Sequence, residues 1–420
     1  MATSANVSTG EGWQGSGGHP LDPQVRWMLR VALVIFAYTI VIGILNGLDL
    51  VEFSRQQLLS HLHGGTLGWM TLAILGVTLW LFGAGESSTT ARSARVLAWA
   101  APVSIAAYVL AFATTTGGLR PVAGTATLLV LIGAAVWAFR RAPSVTLSVP
   151  HLFVLLGLTS SVIGGTFGVI NGLAIAFDWT WVPASFFGAH PGTMEVGFII
   201  PVAMGLAEWG LRRGRLEPRV TRAGRIQVGL MFLAFAWVLG FTLAELDEVA
   251  GLGIVFAIVG LGFFYARLGG IMRTTSVAAR SAERHALAGG VLLGVTIVYI
   301  FVVIQMAGGD FMQVPRGQLI AFIHLMGVGA TTNALLAFVV HLSRRVSPAT
   351  MVDDVIFWGV NVGVLGFVVA LTTDVRAMIV VFVPVMGLGL LTAIVAHVGP
   401  LGRGPTAVPP PAVATPEPLG

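Results

Sequence analysis

Twelve apolar stretches of roughly 18–25 residues divide almost the whole chain, and each can cross a hydrocarbon core of about 30 Å. Inside lipid the backbone must satisfy its own hydrogen bonds, so stretches of that length form helices. The expected spans lie near residues 27–48, 61–84, 94–114, 121–139, 150–176, 185–210, 223–244, 249–267, 286–307, 317–342, 354–372 and 376–397. The arginines test this count. With loops assigned alternately from the inside, Arg26, Arg30, Arg92, Arg95, Arg140, Arg141, Arg212, Arg213, Arg215, Arg219, Arg222, Arg225, Arg267, Arg273, Arg280, Arg284, Arg344, Arg345 and Arg403 fall on one side. Only Arg55, Arg120, Arg316 and Arg376 fall on the other. That is the positive-inside pattern, and one missed span would scramble it. The expected fold class is all-α: a polytopic membrane protein with twelve transmembrane helices in a bacterial-type plasma membrane, both termini cytoplasmic. Residues 1–25 are expected to be a disordered Gly/Ser-rich tail, 26–398 the helical domain and 399–420 a Pro-rich disordered tail.

The remaining composition narrows the chemistry. A content of 56% hydrophobic and 10% charged residues, with mean hydropathy +0.89, belongs to a protein whose partner is the lipid bilayer. The pI near 10.6 comes from inner-loop arginines, so no nucleic-acid partner is expected. All 23 basic residues are Arg, which excludes lysine chemistry. The chain has no cysteine, which excludes disulfides, iron–sulfur clusters, thiolate copper and covalently attached haem. Any metal must be held by His, Met, Tyr, carboxylate or backbone.

There are nine histidines. His19 falls in the N-terminal tail. His151, His285, His341 and His397 fall at cytoplasmic span ends, where interfacial roles are expected. His61, His63, His190 and His324 instead share one depth, in the outer third of the second, sixth and tenth spans. Polar rings at that depth are costly and normally face the bundle interior. Two opposed imidazoles can ligate a haem where glycines leave room, and Gly64, Gly65, Gly68, Gly327 and Gly329 are close by in sequence. The alternative is plain hydrogen bonding between closely packed helices. His61 and His63 lie about 200° apart on a helix, so one serves the cofactor and the other faces the loop side or a haem propionate. Glu195, mid-span, is a candidate metal ligand, proton carrier or structural acid. Pro191 and Pro201 should kink the sixth span. His63, His190 and His324 are spaced by 127 and 134 residues, a rhythm that suggests three blocks of four helices.

HLHGGTLGW, FFGAHPGTMEVGF and FIHLMGVGATTNALLAF together resemble subunit I of the haem–copper oxidase superfamily, which includes the nitric oxide reductases. The resemblance covers the core from about residue 27 to 397. It implies an oxidase-like bundle and a low-spin, bis-His b-type haem on His324 and one of His61 and His63. The second-helix pattern of C-type oxidases favours His61; the His63–Gly68 spacing, equal to His324–Gly329, favours His63. Phe322 stands where the family's high-spin haem ligand would be, and the seventh span has no histidine, so no copper centre is expected. The function implied is electron transfer, or redox or gas sensing, with a quinol or redox protein as partner. Two alternatives remain open: a divergent oxygen or nitric oxide reductase with a second metal at His190 and Glu195, and a haem-free transporter or assembly factor.

Overall fold

The structure, a computed structural model, describes residues 19–84, 90–309, 311–344 and 346–403. The expected tails lie outside these residues for 1–18 and 404–420. Twelve helices are long and apolar enough to cross a membrane, and no strand occurs among the described residues. They are α1 (Asp22–Gly47), α2 (Arg55–Phe82), α3 (Ala91–Thr114), α4 (Leu119–Ser144), α5 (Val149–Phe177), α6 (Ser185–Leu211), α7 (Arg222–Leu243), α8 (Asp247–Thr274), α9 (Ala282–Met306), α10 (Arg316–Ser343), α11 (Val352–Thr373) and α12 (Arg376–Gly402). The protein is an integral membrane protein by this measure.

The helical domain extends at both ends. α1 begins at Asp22, because Leu21, Asp22 and Val25 are buried and Asp22 pairs with Arg26 at 2.5 Å. His19 is therefore not in a loose tail: it is buried, stacks on Trp80 at 4.2 Å and bonds the Trp80 carbonyl. α12 continues to Gly402 through Pro400.

α2, α6 and α10 occupy the interior. In their most apolar windows 83%, 83% and 89% of residues are buried, against 22–56% elsewhere. They are also the least hydropathic spans, at 1.6, 1.4 and 1.6 against 1.9–2.6. A helix screened from lipid by other helices need not be apolar all round. Outer helices instead show lipid-compatible faces, such as Val34, Val103, Leu129 and Val295. The same neighbour order recurs. α2 packs on α1, α3 and α4; α6 on α5, α7 and α8; α10 on α9, α11 and α12. Contacts of α12 with α1, α4 with α5 and α8 with α9 close the ring.

Buried polar groups pin the arginine-rich end. Glu208 on α6 is buried and meets Arg267 of α8 at 2.6 Å, while Gln227 of α7 accepts from the same guanidinium. His151, His285 and His397 belong to this set; they are buried, not interfacial. His151 caps its own helix through Ser148 and meets the Leu81 carbonyl. His285 meets Asn333, and His397 meets Ser343. Partners from neighbouring helices make burial affordable for rings that would otherwise seek the headgroups.

Candidate functional site

The three interior helices share a local irregularity. Wide turns, with i→i+5 hydrogen bonding, occupy Gly64–Thr71 in α2, Thr193–Ile199 in α6 and Leu325–Thr332 in α10. Such turns concentrate at functional sites. Their causes can be read residue by residue. The Thr71 hydroxyl donates to the Thr66 carbonyl, five residues back, and Thr332 does the same to Gly327, both at 2.8 Å. In α6 the corresponding position falls on Ile200, and Pro201 beside it has no N–H to give. Trp69 ties two of the turns together, donating to Thr332 at 2.9 Å.

The wide turns also set the register of the repeat. Gly68, Gly197 and Gly329 each lie five residues after the residue that opens the turn: His63, Gly192 and His324. Each glycine faces the first helix of its group, at Ile35 of α1, Ser160 of α5 and Leu292 of α9. His190 therefore corresponds to His61, two residues before the turn opens, not to His63 as the histidine spacing suggested. The tenth span has Phe322 at that position.

All four outer imidazoles are anchored alike through Nδ1. His61 donates to the Thr39 carbonyl of α1, and His190 to the Gly164 carbonyl of α5, each at 2.8 Å. His63 and His324 donate to the carbonyls four residues back, Leu59 and Ile320, also at 2.8 Å. A carbonyl oxygen only accepts, so Nδ1 carries the proton in each ring and the Nε2 lone pair is left for a ligand. The surroundings repeat as well. Gly43, four residues beyond Thr39, lies against His61, and Gly168, four beyond Gly164, lies against His190. A Cβ on either would come within 3.0 and 2.8 Å of the ring. His63 stacks on Phe112 of α3 at 3.9 Å, and His324 stands edge-on to Phe367 of α11 at 5.0 Å.

His61 lies within electrostatic range of His324, and His63 within range of His190. All four rings keep part of their surface accessible despite their position between helices. Arg120, near the start of α4, lies beside His63. Its Nη2 donates to the Phe112 carbonyl at 3.1 Å, its guanidinium sits 4.6 Å over the Phe112 ring, and its Nε is buried with no partner.

Glu195 is half-buried on the wide turn of α6, and no hydrogen bond or ion pair joins it to His190 among the described residues. No group of three His, Cys, Asp or Glu side chains gathers there or elsewhere among those residues. A cavity of about 460 Å³ opens at the opposite end of the bundle, near Trp209, Arg213, Arg280 and His341, far from the paired imidazoles along the helices.

Thr39, Gly43, Gly164 and Gly168 carry no chemistry that singles them out in sequence; they matter only through the rings they touch. The chain matches no known family model, and no curated protein matches it in sequence.

Proposed function

We propose that this chain is a membrane electron-transfer protein that holds a low-spin b-type haem between α2 and α10, with His61 and His324 as the axial pair. One observation carries this reading: the two imidazoles lie in range of each other, each with Nδ1 tied to a carbonyl and Nε2 free. Hydrogen-bonded imidazoles of fixed tautomer are what a metal ligand requires. The residues fit the group, because Gly43 gives the His61 ring its place and the edge of Phe367 supports His324. When bound, a haem would supply a one-electron iron couple.

The protein's own part is orientation and insulation. The Thr39 and Ile320 carbonyls fix the two rings, and the Trp69–Thr332 bond holds the turns that carry them. The apolar interior around these helices would keep water from a bound haem and favour electron exchange. The recurrent neighbour order supports a bundle of three four-helix blocks, as in haem–copper oxidase subunit I, with the haem near the outer face and both termini cytoplasmic. A quinol or a redox protein is the proposed partner.

The test is a reduced-minus-oxidised spectrum of the purified chain with pyridine haemochrome quantitation. A low-spin b-type component is expected that both His61→Ala and His324→Ala remove. A chain without haem, or one in which that component survives both substitutions, would refute the reading.

A further inference from the structure

We infer that His63 and His190 form a second bis-imidazole site, between α2 and α6, for another iron porphyrin whose carboxylate substituent meets Arg120. This extends the haem reading above and rests on it.

The argument starts from the repeat. Align the three wide turns on Gly68, Gly197 and Gly329, and two positions per interior helix matter. The position that opens the turn holds His63, Gly192 and His324. The position two residues earlier holds His61, His190 and Phe322. His61 of the first group lies within electrostatic range of His324 of the third. Moving one step round the ring, His190 of the second group lies within electrostatic range of His63 of the first. The two pairs repeat one pattern: a first ring, His61 or His190, anchored to a carbonyl and seated by a glycine of the neighbouring helix, and a second, His63 or His324, anchored to the carbonyl four residues back.

The third step round the ring supplies the contrast. There the pair would be Phe322 and Gly192, and neither has an imidazole. On α9, eight residues beyond Leu292, the seat held by Gly43 and Gly168 in the other groups is Ile300, which is buried, as is Phe322. Where the imidazoles are missing, the seat is filled with apolar bulk. The fold has an apolar way to close this position, and at His63 and His190 it does not use it. Both rings have Nδ1 tied to a carbonyl, which leaves the Nε2 lone pairs for a ligand.

Arg120 is the independent observation. A guanidinium near the outer end of α4 is buried against Phe112, beside His63, with Nε lacking any partner. A buried cation with a free donor calls for an anion. A porphyrin propionate lying over the edge of the ring plane has that charge and reach.

The experiment is haem stoichiometry on the full chain, expressed with ample haem and purified in detergent. Two haems per chain are expected, falling to one in His190→Ala and to one in His324→Ala, each with a low-spin spectrum. Gly168→Val should lose the same haem as His190→Ala by displacing the ring from α5. In His190→Gly, added imidazole should restore the second haem. Arg120→Gln should shift the midpoint potential only of the component that His190→Ala removes. One haem per chain, lost in His324→Ala and indifferent to His190→Ala, overturns the second site and leaves the first standing. No haem at all overturns both.

Discussion

Gly43→Ala tests the His61 site without touching any group proposed to bind the haem. The new Cβ would lie 3.0 Å from Cε1 of His61, where ordinary contact begins at 3.4 Å. The Cβ sits on a helix backbone held by its own hydrogen bonds, so the ring must give way by about 0.4 Å. Its Nδ1 donates to Thr39 at 2.8 Å, so a shift of that size takes the bond to the edge of the normal range. A weakened buried hydrogen bond and a tight contact together cost about 1–2 kcal/mol. That corresponds to roughly 5- to 30-fold weaker holding of the haem. The assay is the rate at which haem passes from the purified protein to an excess of apo-globin, followed in the Soret band. Gly229→Ala on α7 is the control, since nothing lies within 4 Å of its added carbon. Gly43→Val should be worse than Gly43→Ala. If Gly43→Val loses haem no faster than Gly229→Ala, the placement of His61 against α1 is irrelevant to binding and the reasoning fails.

Three further outcomes are expected. Trp69→Phe removes the indole donor to Thr332, and thermal unfolding in detergent should register a loss of about 1–3 kcal/mol; an unchanged midpoint would contradict the role given to that tie. Arg267→Ala strips the buried Glu208 of its strongest partner and should destabilise by about 3–5 kcal/mol, read as loss of folded protein on heating, with Glu208→Gln in the same background recovering part of it. Reporter fusions after Gly210 and after Ala278 should report cytoplasmic, and one within 245–250 external; an external signal at Ala278 would reverse or break the proposed topology.

The spans were legible because hydropathy is local: every one of the twelve expected stretches overlaps a helix of the structure. Even the interior position of α2, α6 and α10 was present as lower hydropathy. The common depth of the four histidines followed from counting along those spans. The pairing did not. Which ring meets which depends on the angular register of three helices, and a wide turn shifts that register by a residue. Aligning on histidines set His190 beside His63; aligning on Gly68, Gly197 and Gly329 would have set it beside His61. The shared glycine was the available signal. His151, His285 and His397 were misplaced for another reason. Their partners, the Leu81 carbonyl, Asn333 and Ser343, sit on other helices. Sequence distance hides such partners completely.

His61 and His63 stand two residues apart on one short outer piece of α2, about 200° apart around its axis. Directly beneath them the helix passes into its wide turn. The outer piece can therefore twist with some independence from the buried length below. Any twist swings the two rings in opposite lateral directions. A twist of that piece would displace both rings at once, so a load on one of the two proposed sites would be carried to the other through the outer piece of α2.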